Sequence, residues 1–557
     1  MTRRARQALV IAVSLVTGCA PTVAGPIPPR PAEPGVVSIT TRPTPTTTVV
    51  AGETVEAGPA CPTRFCLVYH LDPRARWSDG SPVIADDLAH TVSVRGDDPA
   101  HATIRTVDVV DDHTALVVFD EPYGAWQSLF RRVIRTGETP TSIVDLSTTG
   151  PFEFVEWDEG SHLTIARQDD WWALRDPLNG ATLGDVGQIT FRFFDDTAAM
   201  TAALAEGAVD VIVGARPNLA MVAAIGGIEG LSLALSPGPF WEHIDFHHEH
   251  PLLSRRWARE AISLAIDREK ILDRTVRLVA PETTVLDSSV YMSETVGYEP
   301  HFPDEFDPER AGAILQDNGC NPGSDGILVC DDIRMSLTWT STDDDPARSE
   351  AFQSVREDLG EIGVELIAEL RSPSSFVTRD VLFGAPEVWQ LINFSWRSRP
   401  DPIGSNSTYY CGEGGELNVN RYCSEKVESL ISASRSVTDP AARMALYNQA
   451  DRLYLEDYAL IPLYQKPVLT AWADPIEGPL ANYTPSGDLW NVASWSGKES
   501  IVVALPSEPV DMSPLSEMDD SANIVLGALL YGAFGMSPSH EYLPALVESV
   551  DVLDGRR

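Results

Sequence analysis

Basic residues are scarce in this sequence of 557 residues, which has 41 Lys and Arg against 81 Asp and Glu and a formal net charge of −40. A protein that binds nucleic acid needs a basic surface for the phosphates, so this charge argues against DNA or RNA as a partner. It also argues against general adhesion to anionic lipid. The composition is typical of an acidic surface that keeps a secreted protein dispersed.

Long apolar runs are missing as well. The N-terminal run Ala8–Val16 is too short to cross a hydrocarbon core, which takes roughly 20 residues. Three arginines precede it and small residues follow it, which is the pattern of a secretory signal. The sequence Val16-Thr17-Gly18-Cys19 resembles the bacterial lipobox, in which the cysteine is acylated and becomes the mature N-terminus. We therefore expect residues 1–18 to be a lipoprotein signal peptide; the alternative is an ordinary signal with Cys19 there by chance.

Cysteine is rare, with seven in the chain. Without Cys19 an even number remains, which suits disulfides in an oxidising compartment. These cysteines lie as neighbours in the sequence, and no pair has the CxxC spacing of zinc or redox sites. We predict local structural disulfides, the simplest connectivity: Cys61–Cys66, Cys320–Cys330 and Cys411–Cys423.

Residues 19–60 are dominated by Pro, Thr and Ala. Such a composition cannot bury a core, so we expect an extended tether between the lipid on Cys19 and a globular body.

The body has the patterns of an α/β protein, and its length predicts two or three domain-sized units. Phe65–Leu71 is a predicted strand, and a helix is predicted from Ala85 onward. The stretch ITFRFFDDTAAMTAALAEGAVDVIVG follows the strand–helix–strand order of an α/β sheet, and RRWAREAISLAIDREKIL predicts one amphipathic helix.

Several of these segments occur together in a family order. They are RARWSDGSPVIADDL, STTGPFEFVEW with RQDDWW, ALAEGAVDVI, WEHIDFHHEHPLLSRRWAREAISLAIDREKI, DPERAGAILQDNG and VTDPAARMALYNQADRLYLEDYALIPLYQ. Over roughly residues 61–475 this set resembles the extracytoplasmic solute-binding proteins of family 5, the binding lipoproteins of peptide and nickel ABC importers.

The stretch IVVALPSEPVDMSPL resembles the opening of that family, yet it begins at Ile501. The following LLYGAFG and YLPALVESVDVLDG resemble the next family elements, which normally precede the strand RFCLVYHLD. We therefore predict a circularly permuted member, in which VESVDVLDGRR pairs with RFCLVYHLD, since termini of compact domains often lie close together. The alternative is a truncated second repeat that is unfolded or disposable.

The resemblance implies a large type II periplasmic-binding-protein-like fold with mixed sheets, in which two lobes hold a solute in the cleft between them and close around it. We expect lobe I at 61–243 and 468–557, with 500–557 supplying the usual N-terminal segment, and lobe II at 244–467. The implied function is capture of a peptide-like solute by a monomer, anchored on the extracytoplasmic face of the cell membrane, that delivers it to an ABC permease and ATPase. No cofactor is expected.

Aromatic residues near loop ends are the first candidates for the cleft, because large clefts are lined by aromatics with a few polar groups. The alternative for each is ordinary core packing. The candidates are Phe240, Trp241, Trp389, Trp396, Trp490, Trp495 and Tyr531. Of these, Trp396 begins WRSRPDPIGS, which resembles the family's cleft segment.

That segment departs from the family pattern. In dipeptide- and oligopeptide-binding relatives an Asp shortly after this Trp pairs with the α-ammonium of the peptide, whereas here Arg397, Ser398 and Arg399 follow, and Asp401 is the first acid. A guanidinium prefers a carboxylate or phosphate. Three interpretations follow: Asp401 pairs with the ammonium instead, the ligand presents an anion to Arg397 and Arg399, or the ligand is not a free-amine peptide. Alternatively, the two arginines are simply exposed on a loop and have no role in binding.

Enzyme motifs are missing: the sequence has no GxSxG, HExxH or Walker GxxxxGK[ST]. On a strand, His243 and His247 of EHIDFHHEH share a face while His248 points away, so one ion could reach three histidines only across a bend. A metal site is therefore not expected there, nor elsewhere in the chain. The runner-up function is a binding-protein fold reused as a cell-envelope scaffold or regulator without transport.

Overall fold

The computed structural model describes residues 61–95, 98–303, 305–412, 414–516 and 519–554. The expected signal peptide, the tether and the lipidation site Cys19 lie outside the described residues. Within them, no helix has the length and apolar content needed to cross a bilayer.

The strands are β1 Phe65–Leu71, β2 Ile104–Asp111, β3 Thr114–Phe119, β4 Phe152–Asp158, β5 His162–Arg167, β6 Gln188–Phe193, β7 Val211–Ala215, β8 Leu231–Phe246, β9 Asn321–Pro322, β10 Leu328–Cys330, β11 Ile333–Arg334, β12 Ser336–Thr342, β13 Glu365–Arg371, β14 Leu391–Arg397, β15 Leu460–Ala473, β16 Ser500–Leu505, β17 Phe534–Met536, β18 Tyr542–Pro544 and β19 Val547–Asp554. The helices are α1 Ala85–Val94, α2 Thr197–Ala205, α3 Leu219–Gly226, α4 Arg256–Ala265, α5 Arg268–Arg274, α6 Pro308–Asp317, α7 Pro346–Glu361, α8 Pro373–Phe376, α9 Arg379–Leu382, α10 Glu425–Ser434, α11 Pro440–Glu456 and α12 Asp520–Leu529.

Aspartates begin several of these helices. Asp345 and Asp439 each accept a hydrogen bond from a backbone N–H of the first turn, and a proline follows each of them. A proline fits the first helical position because its missing N–H has no partner there in any case. Asp267 acts in the same way and divides a predicted single helix into α4 and α5, since its side chain accepts from the N–H of Lys270.

A ten-stranded mixed sheet runs through the molecule in the order β13-β12-β14-β8-β15-β7-β16-β6-β5-β4. Its two central strands, β8 and β15, are long and pair antiparallel with each other. The end of β8 also pairs with β14, whereas the end of β15 pairs with β7. These two strands therefore connect the two halves of the sheet.

The C-terminal described segment lies within this framework. β16 lies between β6 and β7 and runs parallel to both. β19 pairs antiparallel with β1 in a separate four-stranded sheet, where Phe65 is opposite Asp554 and Tyr69 is opposite Val550.

The buried apolar cores fall into two groups that match the halves of the sheet. One group draws its buried residues from 241–464 only. The other draws them from 65–225 and 469–550. We call these two bodies the middle lobe and the outer lobe, after the position of their residues in the chain.

Candidate functional site

A cavity of about 1890 Å³ lies between the two lobes and is here called the interlobe cavity. Its outer-lobe wall comes from 94–95, 98–103, 120–123, 128, 131–132, 178, 483–486, 515–516, 520, 523, 527, 530–532, 534–536, 542 and 545. Its middle-lobe wall comes from 397–401, 403–404, 406–407, 410, 414, 416, 432 and 435–436. The C-terminal segment 515–545 therefore contributes a large part of one wall. A cavity of this size holds a small organic molecule or short peptide together with water.

The middle-lobe wall begins where β14 ends. This strand is held between β12 and β8, and the chain then passes along the cavity from Arg397 to Asp401. Asp401 accepts a hydrogen bond from the N–H of Ile403 at 3.0 Å and so begins the 3₁₀ helix Pro402–Thr408. Arg399 lines the cavity as well and is exposed.

Arg397 reaches across to the outer lobe. Its Nη2 donates to Oδ1 of Asp520, at the start of α12, at 2.8 Å, and its guanidinium lies 5.6 Å from the centre of the Phe240 ring. Both charged side chains are substantially exposed, so solvent and salt screen this pair.

Asp401 is already paired within the middle lobe. Arg443 donates from Nη1 to Oδ2 of Asp401 at 2.8 Å and from Nη2 to Oδ1. The two side chains are 12% and 10% exposed. Burial by itself would lower the pKa of Arg443, but the hydrogen bonds and charge of Asp401 outweigh it, and the net pKa shift is upward. The carboxylate thus has little capacity left for a ligand.

Three arginines line the outer-lobe wall and form what we call the arginine cluster: Arg95, Arg131 and Arg132. Arg132 is 3% exposed and donates to the side-chain oxygen of Asn523 at 2.7 Å. The Arg95 side chain is buried and donates to the carbonyl of Pro514 at a short distance, while its Nε has no partner. Arg131 is exposed.

Burial, and after it the charges of Arg131 and Arg95, lower the pKa of Arg132 to about 9. Burial and Arg131 likewise lower the pKa of Arg95 to about 10, with Asp98 acting in the opposite direction. Arg95 and Arg132 therefore both stay protonated at neutral pH and repel each other. A buried cation without a close counter-charge is costly, and an anion in the cavity would relieve that cost.

The acids of the lining mostly have partners of their own. Asp120 pairs with Arg105 at 3.1 Å, and Asp98 lies 3.5 Å from His101 and 4.0 Å from Arg95. Asp401 and Asp520 pair with Arg443 and Arg397, as described above. Glu121 and Glu416 are exposed to solvent. Arg132 is thus a buried charged side chain of the lining that has no ion-pair partner among the described residues.

Of the candidates drawn from the sequence, Arg397, Arg399, Asp401 and Tyr531 line the cavity. Tyr531 is buried at the outer-lobe wall, its hydroxyl has no partner there, and burial raises its pKa well above the usual value. Tyr123, Tyr410, Tyr483 and Tyr542 also line the cavity and were not foreseen.

The tryptophan candidates and Phe240 lie elsewhere. Trp495 and Trp490 are buried in outer-lobe cores, and their ring N–H groups donate to Asn491 and to the carbonyl of Leu480. Trp241 is opposite Trp396 across β8 and β14; the first is buried, the second half-buried against His243 and Phe394. Phe240 is half-buried between the guanidinium groups of Arg216 and Arg397, and Trp389 is fully buried beside His247. These indoles pack in or against the apolar cores of the two lobes and are not among the residues that line the cavity.

The histidines of EHIDFHHEH do not gather around one point. His243 contacts Asp245, His247 contacts the carbonyl of Gly384, and His248 contacts the carbonyl of Ala459. In the part of the chain that the structure describes, no group of three or more His, Cys, Asp or Glu is arranged to hold a metal ion.

Disulfides join Cys61 to Cys66, Cys320 to Cys330 and Cys411 to Cys423, which are the pairs expected from the sequence. The last of these closes the loop that carries Glu416 along the cavity wall.

Two lobes joined by long crossing strands, with a cavity between them, define a solute-binding protein of the two-lobe type. The family described as bacterial extracellular solute-binding proteins, family 5 middle, matches residues 66–415, and the chain belongs to this family. The family and the two-lobe α/β fold expected from the sequence are thereby confirmed.

Several proteins of similar sequence are named as binding proteins. The oligopeptide-binding protein OppA of Mycobacterium tuberculosis is 26% identical over 446 residues, which are 76% of this chain and 72% of OppA. The oligopeptide-binding protein AppA of Bacillus subtilis is 23% identical over 354 residues, 62% of this chain and 61% of AppA.

Solved structures share the fold. The periplasmic EDTA-binding protein EppA superimposes with a TM-score of 0.64 at 21% identity, covering 78% of this chain and 85% of EppA. NikA from Brucella suis, solved with Fe(III)-EDTA, gives 0.62 at 18% identity and covers 79% and 90%.

Proposed function

We propose that this protein is the extracytoplasmic receptor of an ABC importer and that the interlobe cavity holds a small, peptide-like solute through an anionic group. Family membership supports the receptor role, and the names of OppA and AppA support a peptide-like solute. The observation that carries the anionic group is the arginine cluster: among the described residues the buried Arg132 has no ion-pair partner, and Arg95 has only Asp98, at 4.0 Å.

A carboxylate or phosphate is the natural partner of such a cluster. Guanidinium groups donate two parallel hydrogen bonds to these anions, and such charged bonds are stronger than neutral ones. The anion would also screen Arg95, Arg131 and Arg132 from one another.

The test uses two probes that differ in one charge: N-acetyl-tri-alanine, which ends in a carboxylate, and its C-terminal amide. Calorimetry on the wild type should show a preference for the carboxylate of at least about tenfold, since one charged hydrogen-bond pair contributes about 1.5–3 kcal/mol. Arg131→Met should remove most of that preference and Arg132→Met should do the same. Arg334 pairs with Asp325 at the surface, and neither residue lines the cavity. Arg334→Met is therefore the matched control and should keep the preference for the carboxylate probe. Equal binding of both probes by the wild type would refute the anion site.

Residues 61–243 and 468–557 are proposed as lobe I, with 244–467 as lobe II, and 500–557 as the segment that other family members carry first. The place of β16 between β6 and β7 and the pairing of β19 with β1 support this permuted order, in preference to a disposable truncated repeat.

Lipid anchoring at Cys19 is a separate proposal that rests on the sequence of 1–60. In a bacterial host, Cys19→Ala should release the protein from membranes into the soluble extracytoplasmic fraction. Retention of the variant on membranes would contradict the anchor.

A further inference from the structure

Asp401 is a carboxylate at the cavity wall whose hydrogen-bonding capacity is taken up inside the protein. Oδ1 accepts from the backbone N–H of Ile403 and from Arg443, and Oδ2 accepts from Arg443. Asp401 lines the cavity, whereas Arg443 is not among the lining residues.

The position of Arg443 is fixed by what surrounds it. Its guanidinium lies 5.4 Å from the centre of the Tyr447 ring, and Tyr447 is itself held by a hydrogen bond to Asn406. The backbone of Gly124 also lies close to this side chain, since a Cβ added at Gly124 would be only 3.0 Å from Cδ of Arg443. The side chain therefore has little room to swing away and leave Asp401 free.

We propose that Arg443 is a specificity-determining residue: by occupying Asp401 it denies the cavity a carboxylate that would otherwise bind the ammonium group of a solute. This role rests on the proposed function, because the charge preference of the same cavity then depends on two separate groups of residues. The arginine cluster attracts anions, and Arg443 removes the attraction for cations. Without Arg443 the acid of Asp401 faces the solute.

Replacing Arg443 by methionine should convert this wall into a cation site. A buried carboxylate that loses its partner is destabilising, because its charge is left uncompensated. A ligand ammonium reaching Asp401 from the cavity replaces the missing guanidinium. The variant should therefore have a lower melting temperature than the wild type and should regain part of the loss when an ammonium-bearing ligand is added.

The probes are tri-alanine amide, which carries one ammonium, and N-acetyl-tri-alanine amide, which carries no charge. Neither has a carboxylate, so the comparison tests the wall at Asp401, and its outcome is distinguishable from that of the test of the proposed function. Wild-type protein should bind the ammonium form no more tightly than the uncharged form, because Arg443 occupies Asp401 and the arginine cluster repels the ammonium. Arg443→Met should bind the ammonium form at least about tenfold more tightly, a difference of about 1.4 kcal/mol.

Two further variants make the result decisive. The double variant Asp401→Asn with Arg443→Met should lose the preference, since no carboxylate remains. If Arg443→Met does not fold, Arg443→Gln retains one donor to Asp401 and should still shift the preference toward the ammonium form. The proposal is overturned if a folded Arg443 variant shows no preference, or if the wild type already prefers the ammonium form and Asp401→Asn removes that preference.

Discussion

Arg397 and Asp520 form an ion pair of 2.8 Å that joins the middle lobe to the outer lobe across the interlobe cavity. The arginine ends β14 and the aspartate begins α12, so the pair links the middle of the chain to its C-terminal segment. Opening the lobes must separate these two charges.

The first prediction follows from this pair. Arg397→Met and Asp520→Asn should each weaken the binding of N-acetyl-tri-alanine, and the double variant should be no weaker than the worse single one. The effect is a factor of roughly two to five, since an exposed ion pair contributes about 0.2–1 kcal/mol. Calorimetry at low and high salt checks it. A double variant in which the two losses add fully would contradict a shared interlobe role.

The second prediction concerns the order of segments. A rearranged chain with 500–557 placed before 61–499 should fold and melt within a few degrees of the parent, because β19 already pairs with β1. Deleting 500–557 should instead abolish cooperative unfolding, since it removes β16 from the interior of the ten-stranded sheet. Circular dichroism on heating measures both. An unchanged melting temperature after deletion would refute the permuted order.

The third prediction concerns pH. Burial raises the pKa of Asp488 to about 7, partly offset by a hydrogen bond from the N–H of Asn482. The folded protein therefore binds this proton more tightly than the unfolded chain, whose aspartate pKa is about 3.9. The stabilisation is complete below about pH 4 and is lost as the pH rises through about 7, by at most about 1.4 kcal/mol per pH unit.

Asp488→Asn should remove this dependence. Urea unfolding of the wild type and the variant at several pH values isolates the contribution, because every other titrating group is shared. The variant should gain free energy of unfolding relative to the wild type as the pH rises from about 4 to about 7. A constant difference across that range would show that Asp488 ionises normally in the folded protein.

Much of the fold could be predicted from local signals. The strand Phe65–Leu71 was foreseen with its bounds, and α1 begins at Ala85 as expected, because alternation and helix-start residues are encoded locally. The division between α4 and α5 was missed. Apolar periodicity continues across Asp267, so the pattern hides a helix start that depends on one side-chain hydrogen bond.

The cavity was predicted only in part. WRSRPDP drew attention to Arg397, Arg399 and Asp401, which do line it. Arg95 and the pair Arg131-Arg132 were missed, since they come from separate segments and meet only in the folded molecule. The sequence signal that could have indicated this cluster is the presence of two adjacent arginines in a strongly acidic chain. The tryptophan candidates are not among the lining residues, since the sequence cannot say whether an aromatic residue near a loop end faces a core or a cleft.

The fourth prediction concerns the disulfide Cys411–Cys423, which closes a loop on the middle-lobe wall. Replacing both cysteines by serine should lower the free energy of unfolding by about 2–4 kcal/mol, as expected for removing a native disulfide. The same change at Cys61 and Cys66 serves as a comparison, since that pair lies outside the cavity lining. Only the first variant should also weaken binding of N-acetyl-tri-alanine. Equal effects of both variants on binding would mean that the Cys411–Cys423 loop does not contribute to the cavity.

The most direct test of the account is mass spectrometry of the small molecules released when the purified body, residues 20–557, is denatured. An importer receptor with an anion-binding cavity should release a peptide or other small solute that carries at least one carboxylate or phosphate. Arg132→Met, purified in the same way, should release less of it. A neutral or purely cationic solute would contradict the role given to the arginine cluster. A folded body that is empty, and stays empty when offered peptide pools, would contradict solute capture and favour an envelope scaffold.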